Sequence, residues 1–263
     1  MTTSPTARRV RREPPRFRPV VVTRVEPRTL RLVRMTLTGD ALVGMPAPDP
    51  AASVRLLLPA PGAQLVIPEW NGNEFLLPDG TRPVLRTFTP WRRDPESDTL
   101  AIDVALHGPG AASAWATTAV PGVQVAVSGP GRGSAPEPDA PTYLLLGDES
   151  AIPAIEQVLA VLPSAANVQV VVELADPRGR LPSLAPVDWQ LLAGGARPGD
   201  TLVAAVRDAP VTAETRVWAA GEAAAMQRIR RHLFEERGLP RPRAVIRGYW
   251  KTGSAGDSDV TPE

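Results

Sequence analysis

GSAPEPDAPTYLLLGDESAIPAIEQVLAVL, Gly133 to Leu162, is the stretch where the chain changes character. Its first part, Gly133 to Thr142, is a proline-rich connector. Tyr143 to Asp148 is an apolar run of strand length, and Ala151 to Leu162 follows with helical spacing. A strand that is apolar on both faces and passes at once into a helix belongs to a parallel sheet covered on both sides. The pattern continues downstream. VQVVVEL (Val168 to Leu174), TLVAAV (Thr201 to Val206), TRVWAAG (Thr215 to Gly221) and RAVIRGYW (Arg243 to Trp250) read as further strands. The amphipathic run Glu222 to Gly238 reads as a helix.

Upstream of the connector the rhythm is different. Short extended runs start at Val20, Leu30, Ser53, Val84, Thr99 and Val123, separated by turn residues. In TLAIDVAL, alternation puts Leu100, Ile102, Val104 and Leu106 on one face, as a half-buried strand requires. Six such strands with one short helix predict a small antiparallel barrel. The reading is therefore a β-barrel domain over residues 17–137 and an α/β domain over 138–253. Polar tails at 1–16 and 254–263 are expected to be disordered.

Composition removes several function classes. No run approaches the ~18 apolar residues of a membrane helix, and the N-terminus has no signal pattern, so a cytoplasmic chain is expected. The absence of cysteine excludes disulfides and thiolate ligands. Two histidines, His107 and His232, are too few for a histidine-rich metal site, and His232 is expected on a solvated basic helix face. A net charge of +1 gives no case for nucleic acid. Any metal chemistry is then expected on a metal that the substrate brings. A monomer is expected, because no exposed apolar helix face is evident.

Two motifs point to a dinucleotide with a flat ring. In RTFTPWRR (Arg86 to Arg93), Arg86 offers a permanent cation for a phosphate, Phe88 an aromatic face and Thr89 a hydroxyl. Alternation puts Arg86 and Phe88 on the same side of a strand. In HGPGAASAWA (His107 to Ala116), a strand turns through glycines into a helix. Backbone N–H groups near Gly110, Ala112 and Ser113, with the Ser113 hydroxyl, make an anion site at the helix start. The plainer alternatives are a structural strand and an ordinary capped helix, with His107 a turn histidine or, less simply, a proton shuttle. In the second domain Asp148, Glu149, Ser150 and Ala151 enter a helix where a nicotinamide would lie in such a sheet, although no G-x-G-x-x-G is present. They cap the helix, border that pocket, or do both. Glu222 is likewise a first-turn charge or a contact to the nicotinamide amide. Glu173 suits a ribose 2′-hydroxyl, whereas Arg178 and Arg180 suit a 2′-phosphate; NADPH is favoured slightly over NADH.

VRLLLP, RTFTP, LHGPGAASAWA, GPGRGS, LLLGDESAIPAI, VWAAGEAAAMQRIRRHL and GYWKTG stand in an order and spacing that resemble the siderophore-interacting protein family. These are FAD-containing ferric-siderophore reductases of the ferredoxin-reductase-like superfamily, and the likeness runs from about Phe17 to Gly253. The resemblance implies an FAD-binding barrel followed by an NAD(P)H-binding domain. It implies that Arg86, Thr87, Phe88, Thr89, Trp91 and Arg92 surround the flavin, with His107, Gly110, Ala112 and Ser113 at its diphosphate. Asp148 to Ala151 and Glu222 would border the flavin ring and the nicotinamide. A basic trio, Arg55, Arg132 and Lys251, would receive the anionic ferric siderophore, and Lys251 is the only lysine in the chain. The family usually has tyrosine at Phe88 and arginine at Trp91, and often proline at Ala111. Arg92 substituting for the missing arginine, or Trp91 covering adenine, are the alternatives. The implied activity passes electrons from NADPH, NADH or a ferredoxin through FAD to iron(III), with no protein acid, base or nucleophile. A general flavin reductase with another acceptor, or a non-catalytic siderophore-binding protein, are the competing readings.

Overall fold

A computed structural model describes residues 16–60, 62–108, 110–134, 136–137, 140–182 and 186–253. The first unit contains β1 (Arg18–Thr29), β2 (Leu32–Thr38), β3 (Val54–Leu58), β4 (Glu69–Trp70) and β5 (Phe75–Leu76). It continues with β6 (Val84–Phe88), β7 (Pro90–Asp94), β8 (Thr99–Ala105), α1 (Ala111–Thr118) and β9 (Gln124–Ser128). Seven of the strands form one antiparallel sheet in the order β6-β3-β9-β1-β2-β8-β7, while β4 and β5 pair as a separate hairpin. The two edge strands, β6 and β7, follow each other in the chain with only Thr89 between them, so the sheet curls round to bring its edges together. Inward residues of alternating strands fill the interior: Val20, Val22, Met35, Leu37, Leu56, Leu100, Ile102 and Val127 are all buried. Trp115 and Ala116 of α1 pack on the same core.

The second unit runs β10 (Thr142–Asp148), α2 (Ile152–Val161), β11 (Asn167–Leu174), β12 (Asp188–Leu191), α3 (Asp200–Asp208), β13 (Thr215–Glu222), α4 (Ala223–Arg231) and β14 (Ala244–Trp250). Its five strands are parallel, in the order β12-β11-β10-β13-β14. The apolar run in β10 serves two cores at once. Tyr143 and Leu145 face α2 through Ile152, Ile155 and Val158, whereas Leu144 and Leu146 face α3 and α4 through Leu202, Val206, Met226 and Ile229. The α2 core also takes in Leu32, Ala51 and Ala105, so the barrel docks on that side of the sheet.

The antiparallel-then-parallel architecture is the expected one, with one strand more in the barrel sheet. The added strand, β7, starts with proline, carries Arg92, Arg93 and Asp94, and is bulged between Pro90 and Arg92, so it lacks the alternation that marks a strand in sequence. TLVAAV is corrected from strand to helix: it lies within α3, where Leu202, Val203 and Val206 are the buried face. A six-residue apolar run does not distinguish the two states, and the turn before it decides. Gly199 there has φ +82°, and a Cβ on it would meet the Ala225 Cβ at 2.1 Å. Only glycine permits both the turn and this approach of α3 to α4. The strand β12 was not foreseen; DWQL is polar and lies at the sheet edge. His232 is corrected from solvated to buried: it opens a π-helical turn that extends α4, and its Nδ1 lies 2.6 Å from Glu236 Oε2. The expected tails lie outside the described residues except for Arg16. Among the described residues no helix is long and apolar enough to cross a membrane.

Candidate functional site

The closing corner of the barrel carries the first group of candidates. Phe88 pairs with Val54 and Arg86 with Leu56, so both share the inward side of β6, and Phe88 packs half-buried against the barrel core. Arg86 donates to the Leu85 carbonyl at 2.6 Å. Thr87 is exposed on the opposite side, opposite Arg55. Thr89 is buried, and its hydroxyl lies 3.1 Å from the Tyr249 hydroxyl of β14, which ties this corner to the second domain. Trp91 is half-buried with the Arg34 guanidinium 3.4 Å from its ring centroid, so a cation already covers one ring face; Arg92 is exposed. Burial raises the Tyr249 pKa above the ordinary tyrosine value of 10.0, against the opposing effect of the Thr89 bond. An ultraviolet titration should therefore show the phenolate of Tyr249, taken as the difference between the parent and Tyr249→Phe, only above that value. A Tyr249 ionising below 10.0 would contradict the buried contact.

The second group is at the start of α1. Gly110 is the N-cap and no side chain closes the helix end, so the first-turn N–H groups of Ala111, Ala112 and Ser113 lack intrahelical partners. Ser113 is only 7% exposed, and its hydroxyl is a buried polar atom with no hydrogen-bond partner. A buried unpartnered hydroxyl beside uncapped N–H groups is the donor set that a phosphate oxygen requires, and the residues present fit the diphosphate of FAD. His107 precedes this turn; its ring stacks on Trp250 at 4.9 Å between centroids and 22° between planes.

The third group lines the seam between the domains at the carboxyl ends of the parallel strands, where such sheets bind ligands. Asp148 caps the turn after β10 by accepting from the Ser150 N–H at 2.9 Å, and also accepts from Trp250 Nε1 at 2.7 Å. Ala151 is fully buried in the α2 core. Glu149 points to the barrel: Arg31, in the tight turn between β1 and β2, donates from Nε to its two oxygens at 2.7 and 2.8 Å. Burial raises the Glu149 pKa, with the Arg31 bonds opposing the rise. Glu222 accepts from the Ala225 N–H at 2.9 Å and the Thr252 N–H at 3.2 Å, and is 4% exposed. Glu222 is thus the N-cap of α4, one position before the first turn in which it was expected, and it also holds the segment that bears Lys251.

Sequence reasoning missed the ion-pair cluster that joins the two units. Asp103 on β8 accepts from Arg34 at 2.6 and 2.8 Å and from Arg28 at 2.8 Å, and Arg28 reaches across to Glu156 of α2 at 2.8 Å. Gln157 of α2 accepts from the Ala51 N–H at 2.8 Å and donates to the Trp91 carbonyl at 3.2 Å. These partners lie far apart in sequence, and no local pattern marks them.

The three substrate candidates stand on separate elements. Arg55 is exposed on β3, with Thr87 and Ser128 as its cross-strand neighbours. Arg132 is exposed on the loop after β9, whose Gly131 N–H bonds the Ser53 carbonyl at 2.7 Å. Arg247 of β14 bonds the Ala51 carbonyl at 2.9 Å and reaches the Gly133 carbonyl at 3.5 Å, so β14 runs past that loop pair before ending in exposed Lys251.

An antiparallel barrel fastened to an open parallel sheet is a ferredoxin-reductase-like fold. Residues 21–134 match the siderophore-interacting FAD-binding domain and residues 140–253 match the siderophore-interacting protein family. The chain belongs to the siderophore-interacting protein family, with FAD as its cofactor. It is 30% identical over 234 residues to ferric vibriobactin reductase ViuB of Vibrio cholerae, covering 84% of each protein. It is 32% identical over 242 residues to the mycobactin import ATP-binding/permease protein IrtA of Mycolicibacterium smegmatis; the match takes in 89% of this chain but spans only 26% of that protein. The solved structure of a siderophore utilization protein from T. fusca superposes with a TM-score of 0.79 at 34% identity, covering 93% of this chain and 96% of that one. Phthalate dioxygenase reductase shares the fold, at 16% identity, a TM-score of 0.58, and coverage of 90% of this chain and 70% of that one. The chain is thus a siderophore-associated flavin oxidoreductase.

Proposed function

We propose that the chain carries electrons from a reduced nicotinamide to the iron of a ferric siderophore and so releases iron(II) in the cytoplasm. The observation that carries this reading is the buried, unpartnered Ser113 hydroxyl at the uncapped start of α1. Residues 17–137 then form the FAD-binding unit and 138–253 the nicotinamide-binding unit. Arg86, Ser113 and the N–H groups near Gly110 and Ala112 hold the diphosphate, with His107 beside them. Phe88, Thr89, Trp91 and Arg92 form the walls toward the ring, with Thr87 lending its backbone between them. FAD, when bound, accepts a hydride and gives up electrons singly, which links a two-electron donor to a one-electron acceptor.

The chain's own contribution is placement. Asp148 and Ser150 fix the turn after β10, Glu149 latches it to the barrel through Arg31, and Ala151 seats it in the core. Glu222 holds the segment after β14. Arg55, Arg132 and Lys251 supply positive charge for an anionic chelate. Anaerobic addition of a reduced nicotinamide should bleach the flavin, and a ferric siderophore should restore its colour while a ferrous trap develops. Bleaching without reoxidation by any ferric siderophore would refute the acceptor. Reversing charge at Arg55, Arg132 or Lys251 should raise the siderophore KM by about tenfold each, with flavin content unchanged. Loss of flavin in those variants would move the pocket elsewhere.

A further inference from the structure

Two irregularities of the backbone meet at one hydrogen bond. On the barrel side, Thr89 is the single residue between β6 and β7, at the corner where the sheet closes, and it is buried. On the other side, β14 falls out of step with β13. Gly248 pairs with Gly221 and Trp250 with Glu222, which leaves Tyr249 as an extra residue. A bulge of this kind re-aims a side chain, and bulges are common beside functional sites. Gly248 lets the strand pass close to the start of α4, since a Cβ there would stand 3.1 Å from the Ala223 Cβ. The Tyr249 ring packs on the α2 core, edge-on to Trp218 at 6.4 Å between centroids and 80° between planes. Its hydroxyl ends 3.1 Å from that of Thr89.

Both partners are hydroxyls, and each has one proton. When one donates to the other, the acceptor's own proton is left for a third group. A phenol is more acidic than an aliphatic alcohol and is the better donor of the two. The neutral pair is therefore ordered: Tyr249 donates, Thr89 accepts, and the Thr89 proton turns away from Tyr249. A hydroxyl that accepts one bond is polarised into a stronger donor of the next. The branched Cβ of threonine restricts its rotamers, and the Tyr249 bond selects among those that remain.

We propose that Tyr249 is a positioning residue of the flavin site, whose phenol orders the Thr89 hydroxyl as a donor to the edge of the flavin ring. The proposal rests on the reading above in which Thr89 lies toward that ring. A donor at the ring edge favours the reduced form, which is richer in electrons than the oxidised one. The FAD-loaded protein is equilibrated with a reference dye of known potential, and the ratio of reduced to oxidised flavin is read from the visible spectrum. Thr89→Val should lower that ratio about tenfold, the worth of one hydrogen bond. Tyr249→Phe keeps the ring against Trp218 and should lower the ratio about threefold, through a weaker and less oriented donor. The double variant should match Thr89→Val, because Tyr249 acts through Thr89. Thr89→Ser, which keeps a hydroxyl, should restore the parent ratio.

The hydroxyl pair has its own readout without flavin. Thr89→Val should move the ultraviolet ionisation of Tyr249 to higher pH, because the Thr89 bond holds it down. An unmoved ionisation would dissolve the pair and the proposal with it. An unchanged flavin ratio in Tyr249→Phe, or a double variant that falls by the product of the two single effects, would overturn the proposal and leave Thr89 at the ring. An unchanged ratio and spectrum in Thr89→Val would remove Thr89 from the ring as well. Should Tyr249→Phe fail to hold FAD, ring-fluorinated tyrosine is incorporated into the Tyr143→Phe protein, in which Tyr249 is the one tyrosine left. Its more acidic phenol is a stronger donor and should raise the ratio; no rise would overturn the proposal.

Discussion

Replacing Asp103 by alanine will lower the unfolding free energy by about 3–5 kcal/mol, the usual cost of removing one member of a buried ion-pair cluster. The Asp103 side chain is fully buried, and it accepts bonds from both Arg28 and Arg34. Without it, two guanidiniums that are themselves largely buried face each other with, among the described residues, Glu156 left to balance them. Arg34 also lies over Trp91, so tryptophan emission should change along with stability. Denaturant unfolding, followed by far-ultraviolet circular dichroism and by fluorescence, measures both. A loss below about 1 kcal/mol would show that the cluster is solvated and contributes no more than surface pairs do. Arg24–Glu26 is the internal control: this pair is exposed on β1, and Glu26→Gln should change stability by less than about 0.5 kcal/mol.

The second large effect concerns the cofactor. Ser113→Asp will yield a folded protein that has lost FAD affinity on the order of a hundredfold. A carboxylate in the first turn of a helix favours the helix, which preserves α1. The same carboxylate stands where the proposed site puts a phosphate, and like charges at such distances in a partly desolvated site cost several kcal/mol. Flavin content after reconstitution, read from the visible absorbance, should fall while the circular dichroism spectrum stays that of the parent. Full flavin retention would remove α1 from the diphosphate site. Loss of both flavin and fold would be answered by Ser113→Ala, which should keep the fold and weaken FAD by about tenfold or less through the lost hydrogen bond.

How far the sequence could be read depends on how local each cause is. The change from barrel to parallel sheet was legible at Tyr143 to Asp148, because burial on both faces writes an unbroken apolar run. Alternation in Thr99 to Leu106 wrote the barrel just as directly. α3 was misread because its identity lies in the preceding turn, where Gly199 packs against Ala225 of another helix. β7 escaped because an edge strand with a bulge needs no alternation. In the candidate site, the turn at Ser113 and the capping acid Asp148 were visible, since helix starts have their own residue grammar, whereas Glu222 was expected in the first turn of α4 and is the cap before it. The role of Glu173 was not, because its partners Gly199 and Thr201 lie beyond β12, at the start of α3. Nor was His232, whose place on a charged helix suggested solvent until the packing of the π-helical turn enclosed it.

β14 has one more consequence, for how such a pocket can diversify. Arg247, Tyr249 and Trp250 bond respectively to the Ala51 carbonyl, the Thr89 hydroxyl and Asp148, so the strand that delivers Lys251 is also a hinge pin between the two units. Its freedom to vary is therefore limited by assembly. Arg55 and Arg132 are exposed on the barrel unit and make no such tie among the described residues. Under the proposed function, relatives adapted to chelates of different shape and charge should carry their differences at Arg55 and Arg132 and keep β14, so ligand preference would be written on the barrel side of the molecule.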